Sequence, residues 1–149
     1  MTASRILFVC LGNICRSPSA EGVFRHMAAA EGLEVTVDSC GTGAWHLGEP
    51  PSPAAITAAR ARGYDLSALR ARQLQAADFT RFDRILVMDR ANLRDARALR
   101  PPGGTEPELF LAHAPQHGQD VPDPWYTGDY EGALDMIEDA ARGLIAALR

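Results

Sequence analysis

A chain of 149 residues, 46% apolar and 23% charged, has the composition of one soluble globular domain with a real core. Its net charge of −4, with no run of basic residues, argues against nucleic acid or a membrane surface as partner, and all 15 basic side chains are Arg, which excludes every lysine-based mechanism. No apolar stretch approaches a membrane span, the N-terminus lacks the layout of a signal peptide, and three cysteines do not make a secreted disulfide framework, so a cytoplasmic location is expected.

Arg5 to Cys10 is a short β-branched and aromatic run closed by Gly12 and Asn13, which predicts a buried strand. Ser17-Pro18 reads as an N-cap and first helical residue, and Val23, Phe24, Met27 and Ala28 form the stripe of a helix that Gly32 ends. Val35 to Ser39 predicts a second strand. Trp45 to Pro53 is a Gly- and Pro-rich loop, and Ser52-Pro53 opens a helix that Gly63 closes. Arg84 to Met88 predicts a third strand, and Asp89 caps a helix through Leu99. Pro101 to Gly104 is a turn, Glu108 to Leu111 a fourth strand, and Asp120 to Gly128 a loop. After Asp129 a last helix carries Leu134, Ile137, Ala141, Leu144, Ile145 and Leu148 on one face. Strands separated by helices predict an α/β fold, a Rossmann-like three-layer α/β/α arrangement with a central parallel sheet of about four strands, in one domain over residues 1–149. Ligands of such sheets sit beyond the carboxyl ends of the strands, and the first strand ends at Cys10.

The segment Cys10-Leu11-Gly12-Asn13-Ile14-Cys15-Arg16-Ser17 lies between that strand and the first helix. A strand-to-helix turn aims backbone N–H groups at one point, and the helix N-terminus adds positive potential there. Gly12 and Asn13 tolerate left-handed backbone, which lets successive N–H groups converge on an anion. Arg16 is placed to grip two oxygens of a phosphate, and the same surroundings favour thiolate at Cys10. Ser17 can donate a hydrogen bond to the sulfur. One loop thus offers a nucleophile, an oxyanion cradle and a transition-state clamp. A bare Cys-x5-Arg also fits a structural cysteine, or a cysteine with a redox role only; the strand–Gly/Asn–helix context favours chemistry.

Val9 to Pro18, Val-Cys-Leu-Gly-Asn-Ile-Cys-Arg-Ser-Pro, closely resembles the phosphate-binding loop of the low-molecular-weight protein tyrosine phosphatases, as found in bacterial-type members. Asp38 to Trp45, Met88-Asp89 with Asn92 to Asp95, and Asp123-Pro124-Trp125 resemble further segments of the family, so the likeness covers essentially the whole chain. It implies a phosphatase I-like fold and a phosphotyrosine phosphatase without metal or other cofactor. Cys10 would attack phosphorus, Arg16 and the loop N–H groups would hold the oxygens, and Asp123 would protonate the leaving phenolate and then activate water. An acid in that role needs its proton, so activity is expected to peak below neutrality. Leu11 to Ser17 would form the phosphate loop, Asn13 bonded to Ser39 would hold its backbone, and Ser17 would steady the thiolate. Trp45, Trp125 and Tyr126 would line a slot for the substrate ring. Cys15 occupies the position that family members use to trap oxidised nucleophile as a disulfide. Cys40 stands where the family more often has Ala and reads as a small buried hydrophobe.

Arginine-phosphate phosphatases of the family carry Thr where this chain has Ile14, which directs the expectation to phosphotyrosine proteins, with inorganic phosphate or similar oxyanions as inhibitors. A thiol-dependent arsenate reductase on the same fold would need cysteines after the third strand, and none follows Cys40. A non-catalytic phosphotyrosine-binding module would be expected to lose Cys10, Arg16 or Asp123, and all three are present. Gly41-x-Gly43 lacks the third glycine of a dinucleotide loop. His113 and His117 have metal-like spacing, but Pro115 interrupts any helix that could align them, so they are expected to be exposed loop residues. The sequence leaves a monomer and a weak dimer equally open.

Overall fold

A computed structural model describes residues 4–149 of the chain. Strands β1 (Ser4–Cys10), β2 (Val35–Gly41), β3 (Arg84–Val87) and β4 (Pro107–Leu109) form one sheet, all parallel, in the order β2-β1-β3-β4. β1 takes an inner position because Ile6 through Cys10 are all apolar and buried, as a strand covered on both faces requires. Ile6, Phe8 and Cys10 belong to a core shared with helices α1 (Arg16–Ala30), α2 (Pro53–Ala61) and α6 (Tyr130–Leu148). Leu7 and Val9 alternate to the other face, against α3 (Asp78–Arg81) and α4 (Arg90–Leu99). Phe8 anchors the first core, edge-on to Phe24 and Phe110 with ring centroids 5.7 and 5.0 Å away. β4 is an edge strand and can open with Pro107, whose missing N–H costs no ladder bond there.

Several expected boundaries move, each for a local reason. Ser17-Pro18 is not the N-cap and first residue of α1: Cys15 is the N-cap and the helix opens at Arg16, because the Ser17 hydroxyl is engaged by Cys10 and Asn13 instead. Pro18 still loses nothing, since first-turn N–H groups have no intrahelical acceptor. β2 runs two residues past Ser39, with Cys40 opposite Val9 and Gly41 opposite Cys10. The fourth strand stops at Leu109. Phe110 and Leu111 enter a 3-10 turn, Phe110–His113, which puts both in the core with Phe8, where successive strand residues would point to opposite faces. Two short helices were not expected, α3 and α5 (Pro124–Thr127). His113 and His117 are not exposed loop residues: each is part-buried and held by its own carboxylate, Glu108 and Asp139, both at 2.7 Å.

Candidate active site

The loop from Leu11 to Cys15 winds around the sulfur of Cys10. The Asn13 N–H donates to Cys10 Sγ at 3.3 Å, and Ser17 Oγ lies 3.0 Å from the same atom. Ser17 Oγ already accepts from Asn13 Nδ2 at 2.8 Å, so its own proton is free for the sulfur or for the Cys40 carbonyl at 3.3 Å. Asn13 is the one described non-glycine residue with positive φ, +58°. Its side chain secures that conformation at every polar atom: Nδ2 donates to Ser17 and, at 3.0 Å, to Ser39 Oγ, and Oδ1 accepts from the Arg72 N–H at 3.0 Å. Ser39 in turn donates to the buried carboxylate of Glu21 at 2.6 Å.

The end of β2 backs the loop. Thr42 N–H donates to the Cys10 carbonyl and Gly43 N–H to the Leu11 carbonyl, both at 2.9 Å. A Cβ at Gly41 would lie 2.6 Å from the Leu11 oxygen, so this position has no room for a side chain. Sequence reasoning did not find Arg72 as a support. Its guanidinium spans Asp38 and the almost fully buried Asp78, with Nε–Oδ2 and Nη–Oδ contacts of 3.0 Å, and so fixes the backbone that meets Asn13. An arginine followed six residues later by Asp-Phe is the only local trace, and it does not point to a loop 59 residues upstream.

Arg16 is 3% exposed. Nη1 donates to Asp89 Oδ2 at 2.7 Å and to the Val121 carbonyl at 2.9 Å, and Nη2 lies 3.6 Å from Asp123 Oδ2. Nε has no hydrogen-bond partner among the described residues. One edge of the guanidinium is therefore clamped, while Nε and Nη2 form the parallel pair of donors that suits two oxygens of a tetrahedral anion. Burial opposes its charge, but the Cys10 sulfur and the carboxylates of Asp89 and Asp123 outweigh burial and hold its pKa above the ordinary arginine value. Asp89 was read from the sequence as a helix cap and as part of a family-like segment, with no role toward Arg16. It does cap α4, accepting from Asn92 N–H at 2.7 Å through Oδ1, and its second oxygen serves Arg16.

Asp123 is the N-cap of α5, with Oδ1 accepting from Trp125 N–H at 3.0 Å. It reaches the same cavity, about 390 Å3, as Cys10, Leu11, Gly12, Ile14, Cys15 and Arg16. Trp45, Trp125 and Tyr126 also line it, at 71, 56 and 78% exposure, as open walls at the mouth. The ring beside Trp125 is His46, centroids 6.3 Å apart, whose Nδ1 sits 2.6 Å from Glu49 Oε2. His46 lies over Gly12, where a Cβ would come within 3.1 Å of its Cδ2. It too escaped sequence reasoning, its only signal being its place beside Trp45. All three cysteines are free and buried. Cys15 Sγ contacts Ser52 Oγ at 3.3 Å and Tyr130 Oη at 3.8 Å. Burial raises its pKa against the lowering hydrogen bonds of Ser52 and Tyr130, and burial pushes Cys40 much further up.

A sulfur that accepts a backbone N–H at a helix N-terminus, an arginine with an unpartnered Nε and a loop carboxylate have the chemistry to hold an oxyanion beside a cysteine, on a Rossmann-like fold. Comparison with known proteins narrows the class. The model of the family described as low molecular weight phosphotyrosine protein phosphatase matches residues 5–149, and the chain belongs to that family. It is 43% identical to the low molecular weight phosphotyrosine protein phosphatase of Schizosaccharomyces pombe, over 83% of this chain and 82% of that one. It is 38% identical to the low molecular weight protein-tyrosine-phosphatase YfkJ of Bacillus subtilis, over 97% of this chain and 95% of the relative. The crystal structure of YfkJ superposes with a TM-score of 0.94 at 36% identity, covering 99% of this chain and 96% of that one.

Proposed function

We propose that this chain is a phosphotyrosine phosphatase that works through a phosphocysteine on Cys10. The observation that carries the reading is the unpartnered Nε of a buried Arg16 beside a sulfur held by Asn13 N–H and Ser17 Oγ. Cys10 thiolate attacks phosphorus and forms the S–P bond while the P–O bond to the tyrosyl ring breaks. Asp123 passes its proton to the departing phenolate oxygen. In the second step Asp123 takes a proton from water, the water oxygen bonds to phosphorus, and the S–P bond breaks. Ser17 then stabilises the returning thiolate. The converging N–H groups and the guanidinium carry the charge on the equatorial oxygens through both steps.

Trp45, Trp125 and Tyr126 offer apolar faces to the phenyl ring, which favours an aryl phosphate over an alkyl one. Once peroxide has oxidised Cys10 to a sulfenic acid, Cys15, in the same loop, supplies the thiol that condenses with it to a protective disulfide and releases water. No helix among the described residues is long and apolar enough to cross a membrane, and phosphotyrosine proteins of the cytoplasm are the substrates this reading assigns. The test is hydrolysis of para-nitrophenyl phosphate in EDTA beside Cys10→Ser. Wild type is expected to turn over, and Cys10→Ser to lose turnover yet still bind inorganic phosphate, because the cradle is intact. Full activity in the variant would refute a phosphocysteine; turnover of phosphoarginine in preference to phosphotyrosine would reassign the substrate.

A further inference from the structure

Four of the five large exposed apolar side chains among the described residues gather around one cavity. Of Trp45, Leu47, Leu99, Trp125 and Tyr126, three line the Cys10 cavity and Leu99 lines the groove beside it. That groove, about 560 Å3, shares Leu11 and Trp45 with the cavity and continues over Leu74, Ala98 and Leu99. A second groove, about 420 Å3, shares Ile14, His46 and Trp125 with the cavity and continues over Pro50, Pro51 and Ile56. The grooves have no lining residue in common, so the cavity stands between them. The ring of Trp45 lies on Gly43, where it leaves no space for a Cβ, and this contact fixes it as the partition on the first side.

We infer that the substrate is an extended phosphotyrosine segment with apolar side chains on both sides of the phosphotyrosine, one seated in each groove. This rests on the phosphatase reading above and narrows its substrate. An extended chain advances about 3.3–3.6 Å per residue. A residue one or two positions away therefore reaches grooves that begin at the walls of the cavity itself. Neither groove is lined by Arg: the ionisable residues are Asp95 in the first and Glu49, paired with His46, in the second. Flanking Asp or Glu would meet those carboxylates without a lining guanidinium to pair with. A free aryl phosphate fills only the middle site and gains nothing from either side.

The experiment compares kcat/KM for para-nitrophenyl phosphate and free phosphotyrosine with that for a phosphotyrosyl peptide carrying Leu at the two positions on each side. In further peptides the Leu pair on one side is changed to Asn or to Glu. Loss of either pair is expected to lower kcat/KM about fivefold to tenfold, the scale of partly burying one aliphatic side chain, with Glu lower than Asn. Leu99→Asn is expected to erase the preference on one side and Ile56→Thr the preference on the other, and together they give the direction in which the segment lies. Both variants are expected to hydrolyse para-nitrophenyl phosphate within about twofold of wild type, because neither residue lines the cavity. Leu99 is 43% exposed, so its substitution tests the first groove even where Ile56→Thr unfolds the protein. Equal turnover of Leu-, Asn- and Glu-flanked peptides, or of free phosphotyrosine and the Leu peptide, overturns the inference while leaving the phosphatase reading in place. Absence of para-nitrophenyl phosphate hydrolysis overturns both.

Discussion

Asp89 serves two partners with two oxygens, and substitutions can separate them. Oδ1 accepts the Asn92 N–H that caps α4, and Oδ2 accepts from Arg16 Nη1, each at 2.7 Å. Asp89→Ala removes both. Losing the cap costs about 1 kcal/mol, and losing a hydrogen bond to a buried charged group costs about 1.5–3 kcal/mol. The expected total is about 2.5–4 kcal/mol, provided the two contributions are independent. It stays below the roughly 3–5 kcal/mol of a broken buried pair plus a lost cap, because the Val121 carbonyl at 2.9 Å still holds Nη1. Asp89→Asn keeps a side-chain oxygen for the cap, where Asn ranks with Asp, but turns an amide NH2 toward Arg16 Nη1, donor against donor, and so loses the bond to the guanidinium. Its expected cost is about 1.5–3 kcal/mol, that of the hydrogen bond to the buried guanidinium with the cap intact. Urea unfolding at neutral pH, with midpoints compared at constant slope, measures both. Asp89→Asn within about 0.5 kcal/mol of wild type would refute an energetic role for the ion pair, the level of an ordinary surface change. Equal losses in the two variants would refute a role for the cap.

Asp123→Asn keeps the cap on α5 but cannot give up a proton, so kcat for aryl phosphates is expected to fall by about two to four decades while the urea midpoint barely moves; an unchanged kcat removes Asp123 from proton transfer. Burial raises the thiol pKa of Cys15 and, further, of Cys40, so iodoacetamide at neutral pH is expected to modify Cys10 first. Peptide mapping that finds Cys15 modified as fast as Cys10 would contradict this. The hydrogen bond from His113, ahead of the opposing effect of burial, holds the Glu108 carboxyl below its ordinary value. A depressed carboxyl adds stability above its unfolded pKa of 4.5 that is lost as pH falls through the lower folded value. Glu108→Gln is therefore expected to flatten the acid side of the urea-midpoint profile, and an unaltered slope would show that this pair is not coupled to folding.

Residues whose chemistry is packed into one short segment were legible in the sequence. Cys10 through Ser17 are contiguous, and the structure gathers them around a single sulfur. Asp123 and Trp125 lie far along the chain but announce themselves through their own short motif. What could not be read are contacts that exist only once the sheet has formed. Arg16 and Asp89 are 73 residues apart, and the Arg72 N–H meets Asn13 across 59. Strand ends failed for the same reason: nothing local to Cys40-Gly41 extends β2, and it continues because Val9 and Cys10 pair alongside. Phe110-Leu111 has the composition of a strand and becomes a 3-10 turn, because both residues fill one core rather than two faces.

Asn13 shows why this loop needs a particular residue and not just a permissive one. At φ +58° glycine would satisfy the backbone without strain. Glycine would also leave the Arg72 N–H without its acceptor, and Ser39 and Ser17 without their amide donor. With Asn in place, Ser17 Oγ is occupied as an acceptor, and its remaining proton can serve Cys10 Sγ at 3.0 Å. The same residue aims its backbone N–H at that sulfur from the other side. Asp would keep the acceptor for Arg72 but lose both amide donors, and would place a negative charge beside the thiolate. Asn accepts the left-handed backbone at modest cost and carries no charge. It is the side chain that can brace β2, the backbone at Arg72 and the hydroxyl of Ser17 at once, so the thiolate is supported by the fold and not by the loop alone.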